Sequence, residues 1–123
     1  TAVDAVCDAL TNEGFYIVSR YDIQKQMADR MNKNILPYTV LTVCHPKIFA
    51  TALELEPDIG LLMPCNVLVK KTPVGTQISA VDPRPIFWLA EENRLRPLGD
   101  EMQERMEAAL KVVARSARVP LAS

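Results

Sequence analysis

Residues 38–71, YTVLTVCHPKIFATALELEPDIGLLMPCNVLVKK, constrain the fold more than any other part of the chain. Tyr38–Cys44 is a run of β-branched and apolar residues with Pro37 just before it, the composition of a strand. His45-Pro46 ends that strand. Pro46 suits the first position of a helix, because its missing N–H would have no intrahelical partner there. Ile48, Phe49, Ala52, Leu53 and Leu55 give the helix an apolar side up to about Glu56, and Pro57 stops it. Asp58-Ile59-Gly60 reads as a turn. The second apolar run is Leu61–Lys70, in which Pro64 cannot donate to a sheet. Pairing therefore begins at Cys65, or the segment lies on an edge. From Cys65, alternation sets Cys65, Val67 and Val69 on one face and Asn66, Leu68 and Lys70 on the other.

The rest of the chain supplies elements of matching kind. Thr1–Asn12 is predicted as an amphipathic helix with Val3, Val6, Cys7 and Leu10 on its apolar stripe. Thr1 is placed to cap it, with Asp4 three residues on, and Gly14 to end it. On that stripe Cys7 reads as a small core residue. Phe15–Asp22 is a strand, with Phe15, Ile17 and Ser19 alternating against Tyr16, Val18 and Arg20. Ile23–Asn34 reads as a surface helix whose Ile23, Met27 and Met31 form a packing stripe. Thr72-Pro73-Val74-Gly75 is a hairpin turn, and Thr76–Val81 the return strand. Asp82-Pro83-Arg84-Pro85 ends it. Ile86–Ala90, with the only Trp, is either a loop or helical turn folded over the sheet edge or a partner-facing patch. The last helix runs from Leu98 to about Ser116, with Met102, Met106, Ala109, Leu110 and Val113 on its buried side. The tail Val119–Ser123 is expected to fray.

Four stretches carry a family resemblance: Gly14-Phe15, the VCHP of Val43–Pro46, the LMPCNVLV of Leu62–Val69 and the AVDP of Ala80–Pro83. In this order they resemble the family called domain of unknown function 302, over residues 1 to 83 and more weakly through the last helix. The resemblance implies an α+β fold of the TBP-like class, an antiparallel β-sheet with helices packed on one face. It implies no catalytic residues. The chain departs from the family pattern where His45 stands in place of the usual Asn, and in lacking the strand expected before the first helix.

At 123 residues the chain makes one domain, 1–123, able to bury about two thirds of its unfolded surface. A net charge of −1 argues against a nucleic-acid footprint, which needs clustered Lys and Arg. No apolar run approaches the roughly 18 residues of a membrane span. Three cysteines are too few and odd in number for a disulfide framework, so free thiols in a reducing, cytoplasmic setting are expected. The start at Thr1 leaves open a removed signal peptide and a periplasmic setting. A Cys44–Cys65 disulfide with Cys7 free stays open too.

Cys44, His45 and Cys65 are the one soft and titratable set. They read in three ways: as tight packing at strand ends with His45 in a loop; as a thiol pair whose imidazole neighbour activates a nucleophile or sulfur acceptor; or, with another ligand, as a metal or haem site. No phosphate loop, GxSxG or HExxH is present, and no cofactor is expected. Glu91-Glu92 and Glu54/Glu56 read as solvated faces. The expected function is a small non-catalytic binding or assembly protein, a homo-oligomer or the subunit of a complex. Its contacts would lie at an open sheet edge, left by the missing strand, or at the Ile86–Ala90 patch. The alternatives are a thiol redox or sulfur-handling protein using Cys44 and Cys65, and a small-ligand or metal/haem module with an apolar pocket between sheet and helices.

Overall fold

β-Branched residues in the middle of the chain do pair as a sheet, and the apolar stripes of the helices cover one side of it. The structure is a computed structural model that describes residues 1–90, 92–117 and 121–122. The elements run α1 (Ala2–Asn12), β1 (Tyr16–Asp22), α2 (Ile23–Met31), β2 (Tyr38–Cys44), α3 (Pro46–Leu55), β3 (Cys65–Thr72), β4 (Gly75–Ala80), α4 (Arg84–Leu89), α5 (Arg96–Ala117) and β5 (Leu121–Ala122). The sheet order is β1-β2-β3-β4-β5. The first four strands are antiparallel, and β5 adds in parallel to β4 through Ile78↔Leu121. This is the α+β architecture expected.

Register decides which side chains meet the helices. Leu41 stands opposite Val67, Val43 opposite Cys65, and Val69 opposite Ile78. All six are buried, so they form the covered face. Over them lie Val6 and Leu10 of α1, Phe87 of α4, and Met102, Met106 and Val113 of α5. Each such side chain contributes about 1.5–3 kcal/mol by leaving water. The five residues expected on the buried side of the last helix are all buried. Among the described residues α2 buries none; Ile23 and Met27 are half-buried and Met31 is exposed.

Several expectations need correcting. The turn at Asp58–Gly60 is a 3-10 turn over Pro57–Leu61 that drives Ile59 into the core. At Ile86–Ala90 the helical alternative holds: the segment belongs largely to α4, a six-residue helix that buries Phe87 and turns Trp88 and Leu89 outward. The last helix begins at Arg96, because Pro97 fits its first turn. Cys7 is half-buried at the margin of the α1 stripe, and Ala9 takes the core position. Of the tail expected to fray, Leu121–Ala122 pairs with β4, while Val119, Pro120 and Ser123 lie outside the described residues. Strict alternation fails in β1. The register shifts between Ile17 and Ser19, so Ser19 stands opposite Thr42, Arg20 opposite Leu41 and Tyr21 opposite Val40. This bulge carries Arg20 to the helix side, where its Nη1 donates to Asp4 at 2.9 Å, and moves Ser19 and Tyr21 to the face of Tyr16.

Candidate functional site

The four stretches that carry the family resemblance are far apart in sequence and meet at one end of the sheet. Tyr16 stands opposite Cys44, Val43 opposite Cys65, and the N–H of Val81 donates to the Asn66 carbonyl at 3.3 Å. One row across the strands thus joins the starts of β1 and β3 to the end of β2 and the chain just after β4. At its far end Asp82 accepts from the Arg84 N–H and, through both oxygens, from the Arg84 guanidinium. That guanidinium holds the Asp82 carboxyl below its usual range.

His45 is fixed in this row. It is the N-cap of α3: its Nδ1 accepts from the Ile48 N–H at 3.5 Å. The ring proton therefore sits on Nε2, which donates to the Glu13 carbonyl at 3.2 Å. Phe15 meets the ring edge-on, with centroids 5.1 Å apart. The departure from Asn has a simple reading, since Asn is a favoured N-cap and Nδ1 supplies the same acceptor. Both ring nitrogens are thereby occupied in tying the end of α1 to the start of α3.

The two cysteines do not share a side of the sheet. Cys65 stands opposite Val43 and points into the core, 3% exposed, with its Sγ 3.8 Å from Met63 Sδ. Cys44 is one residue past Val43 and faces the other way, opposite Tyr16 and 7% exposed. Cys7, Cys44 and Cys65 are all free thiols. Burial alone pushes the Cys44 thiol up, and burial first pushes Cys65 up to about 11. No cation or imidazole offsets either. Among the described residues no three His, Cys, Asp or Glu side chains converge as a metal site would require. Glu54 is exposed, Glu92 is paired with Arg94, and Glu91 lies outside the described residues.

Cys65 makes an alkaline prediction. Its folded pKa of about 11 stands above the ordinary 9.0, so its contribution is fully present below pH 9 and is lost as pH rises through 11. Two pH units correspond to about 2.7 kcal/mol. The urea midpoint should fall across this window, and Cys65→Ala should flatten that fall. Equal slopes in both proteins would contradict it.

Among the described residues, the side of the sheet away from the core cluster is the other notable surface. Register puts Tyr16 and Tyr21 of β1 on it with Tyr38 of β2, so it carries all three tyrosines of the chain. Val40 and Leu68 are directly paired at its centre and half-buried. Its strand residues include a single charge, Lys70, although 24% of the chain is charged. Two depressions mark it. One, of about 210 Å³, lies between Tyr16, Val18, Cys44, Phe49 and Pro64. The other, of about 440 Å³, is shallow and includes Tyr38, Val40, Asn66, Leu68 and Val81. The space between sheet and helices, the place a ligand pocket would take, is filled by Leu41, Val67, Ile78, Phe87 and Met102. β1 is bonded on one side only among the described residues. The tyrosines were plain in sequence, but only the bulge brings them to one face.

A small α+β domain with one sheet face uncovered and charge-poor among the described residues is what fold and site define. The chain belongs to the family described as domain of unknown function DUF302, whose model matches residues 1–113. It is similar to the crystal structure of an uncharacterized conserved DUF302 protein from Bacillus stearothermophilus, with a TM-score of 0.80 and 20% identity. The match covers 89% of this chain and 86% of that one. At that identity the likeness shows the fold alone. No curated protein matches the chain. No helix among the described residues is long and apolar enough to cross a membrane.

Proposed function

We propose that this protein is a small non-catalytic binding and assembly module that works through the uncovered face of its sheet. The observation that carries the reading is the composition of that face: three tyrosines and a Val40–Leu68 centre, with Lys70 as the one charge of its strands and Asp82 at the rim paired to Arg84. A sheet face made only to meet water carries charged and polar residues; interface cores are depleted in charge and enriched in tyrosine. Aromatics on a sheet also serve as stacking platforms for single-stranded nucleic acid, but those need a basic groove to track the backbone. One lysine in a chain of net charge −1 does not supply one. The thiol reading has less support. Cys44 and Cys65 face opposite sides of the sheet, His45 is engaged as a cap, and burial raises both thiols.

The test is native mass in extract of the cells that make the protein. The wild type should run well above its 13.7 kDa chain mass, and reductant should leave it unmoved. Leu68→Lys, a charge at the centre of the face, should collapse it to the mass of one chain. A wild type that runs as one chain, or a size that depends on reductant and not on Leu68, would overturn the reading.

A further inference from the structure

We infer that the partner on this face is a second copy of the same chain, docked sheet to sheet about a twofold axis that runs along the strands between β2 and β3. The inference rests on the assembly reading above and adds the occupant and its orientation.

The area is sufficient for a modest dimer. Four strands about 4.8 Å apart and about six residues long, at roughly 3.3 Å each, present a flat footprint of about 400 Å² per copy. With side-chain relief the two copies together bury on the order of 1,000 Å², the threshold for a specific interface and the range of weaker dimers.

Charge also fits self-pairing. A face whose strands carry one charge, with Asp82 at its rim already paired to Arg84, meets its own copy with little like-charge repulsion, provided the two lysines are kept apart. The proposed axis does this. In cross-strand order the face reads Cys44, then Thr42–Asn66, Val40–Leu68 and Tyr38–Lys70 between β2 and β3. A twofold axis between these strands keeps each row level and exchanges its members. Val40 then meets Leu68 of the second copy, Thr42 meets Asn66, and Lys70 meets the ring of Tyr38. The lone cation thus lies over an aromatic face, where it is attracted. An axis across the strands would lack this exchange. Tyr21, on the row of Val40, extends the apolar centre toward the rim.

The experiment is sedimentation of the purified protein from about 1 to 500 μM, with variants V40E and L68K alone and mixed. The wild type should reach twice the 13.7 kDa chain mass with rising concentration. Each variant alone should stay a monomer over this range, with association weakened at least tenfold, while circular dichroism shows it folded. Mixed in equal amounts, the two should dimerise again, because V40E in one copy opposes L68K in the other. A wild type that is monomeric at 500 μM overturns the inference. So does a dimer indifferent to both variants, or a mixture that stays monomeric. If the purified protein is a monomer while the native mass in extract is still large and Leu68-dependent, self-pairing fails and the assembly reading stands. If both are monomeric, both fail.

Discussion

Gly14→Ala should destabilise the fold by about 3 kcal/mol or more, although it adds only a methyl group. Two effects combine. Gly14 has φ +94, a conformation that costs an L residue about 1–3 kcal/mol. A Cβ built there also lies 2.6 Å from His45 Nε2 and 3.3 Å from two ring carbons. That ring has nowhere to go. It is buried, closed by Phe15 on its edge, and held by Glu13 on one nitrogen and Ile48 on the other. Moving it gives up an N-cap and a hydrogen bond, each worth about 1 kcal/mol. For a chain this size the total lowers Tm by roughly 10 °C. A double-mutant cycle separates the two effects. With His45→Ala in place, only the backbone strain remains, so Gly14→Ala should cost at least about 1 kcal/mol less than in the wild type. Equal costs in both backgrounds would show that the contact with His45 does not matter.

Gly14 also shows what the sequence could and could not reveal. Its role as a helix terminator is local and was legible, as were the Thr1 cap, the hairpin over Pro73-Val74 and the start of β3 at Cys65. The contact between Gly14 and His45, 31 positions apart, is tertiary and had no local signal. His45 itself offered one: it stands directly before a proline at the first helical position, which is where an N-cap belongs. That placement makes His45 a cap rather than a loop residue or a thiol activator. The cysteine pair could not be judged from sequence at all. Alternation fixes the face of Cys65 relative to Val67, but the face of Cys44 depends on the β2–β3 register, and a slip of one residue exchanges faces. The helix and 3-10 turn between the two strands set that register. The working face was hidden for a similar reason. Simple alternation puts Tyr16 and Tyr21 on opposite sides of β1, and one bulged residue reverses it.

Phe87→Ala should cost about 3–5 kcal/mol, the range for removing a fully buried aromatic ring. The ring is the main attachment of α4. This helix has six residues, too few to hold its shape alone, and Phe87 is the one it buries completely. On the far side of the ring stands Gly99 of α5; a Cβ there would lie 3.1 Å from Phe87 Cδ2 and 3.3 Å from Cβ and Cγ. Glycine inside a helix is less stable than alanine by about 1 kcal/mol, so its presence is explained by the ring that presses on it. The two positions should therefore couple. Gly99→Ala should gain little or lose stability in the wild type, and gain about 1 kcal/mol once Phe87 is Ala. The neighbouring Trp88 is 49% exposed and is the only tryptophan, so its emission reports α4 alone. In Phe87→Ala it should shift to the red before the sheet unfolds in urea, as α4 leaves first. An emission change that coincides with loss of the sheet would show α4 to be part of one cooperative unit. The outward placement of Trp88 and Leu89 has the same origin: a short helix that commits Phe87 inward turns its next two side chains to solvent.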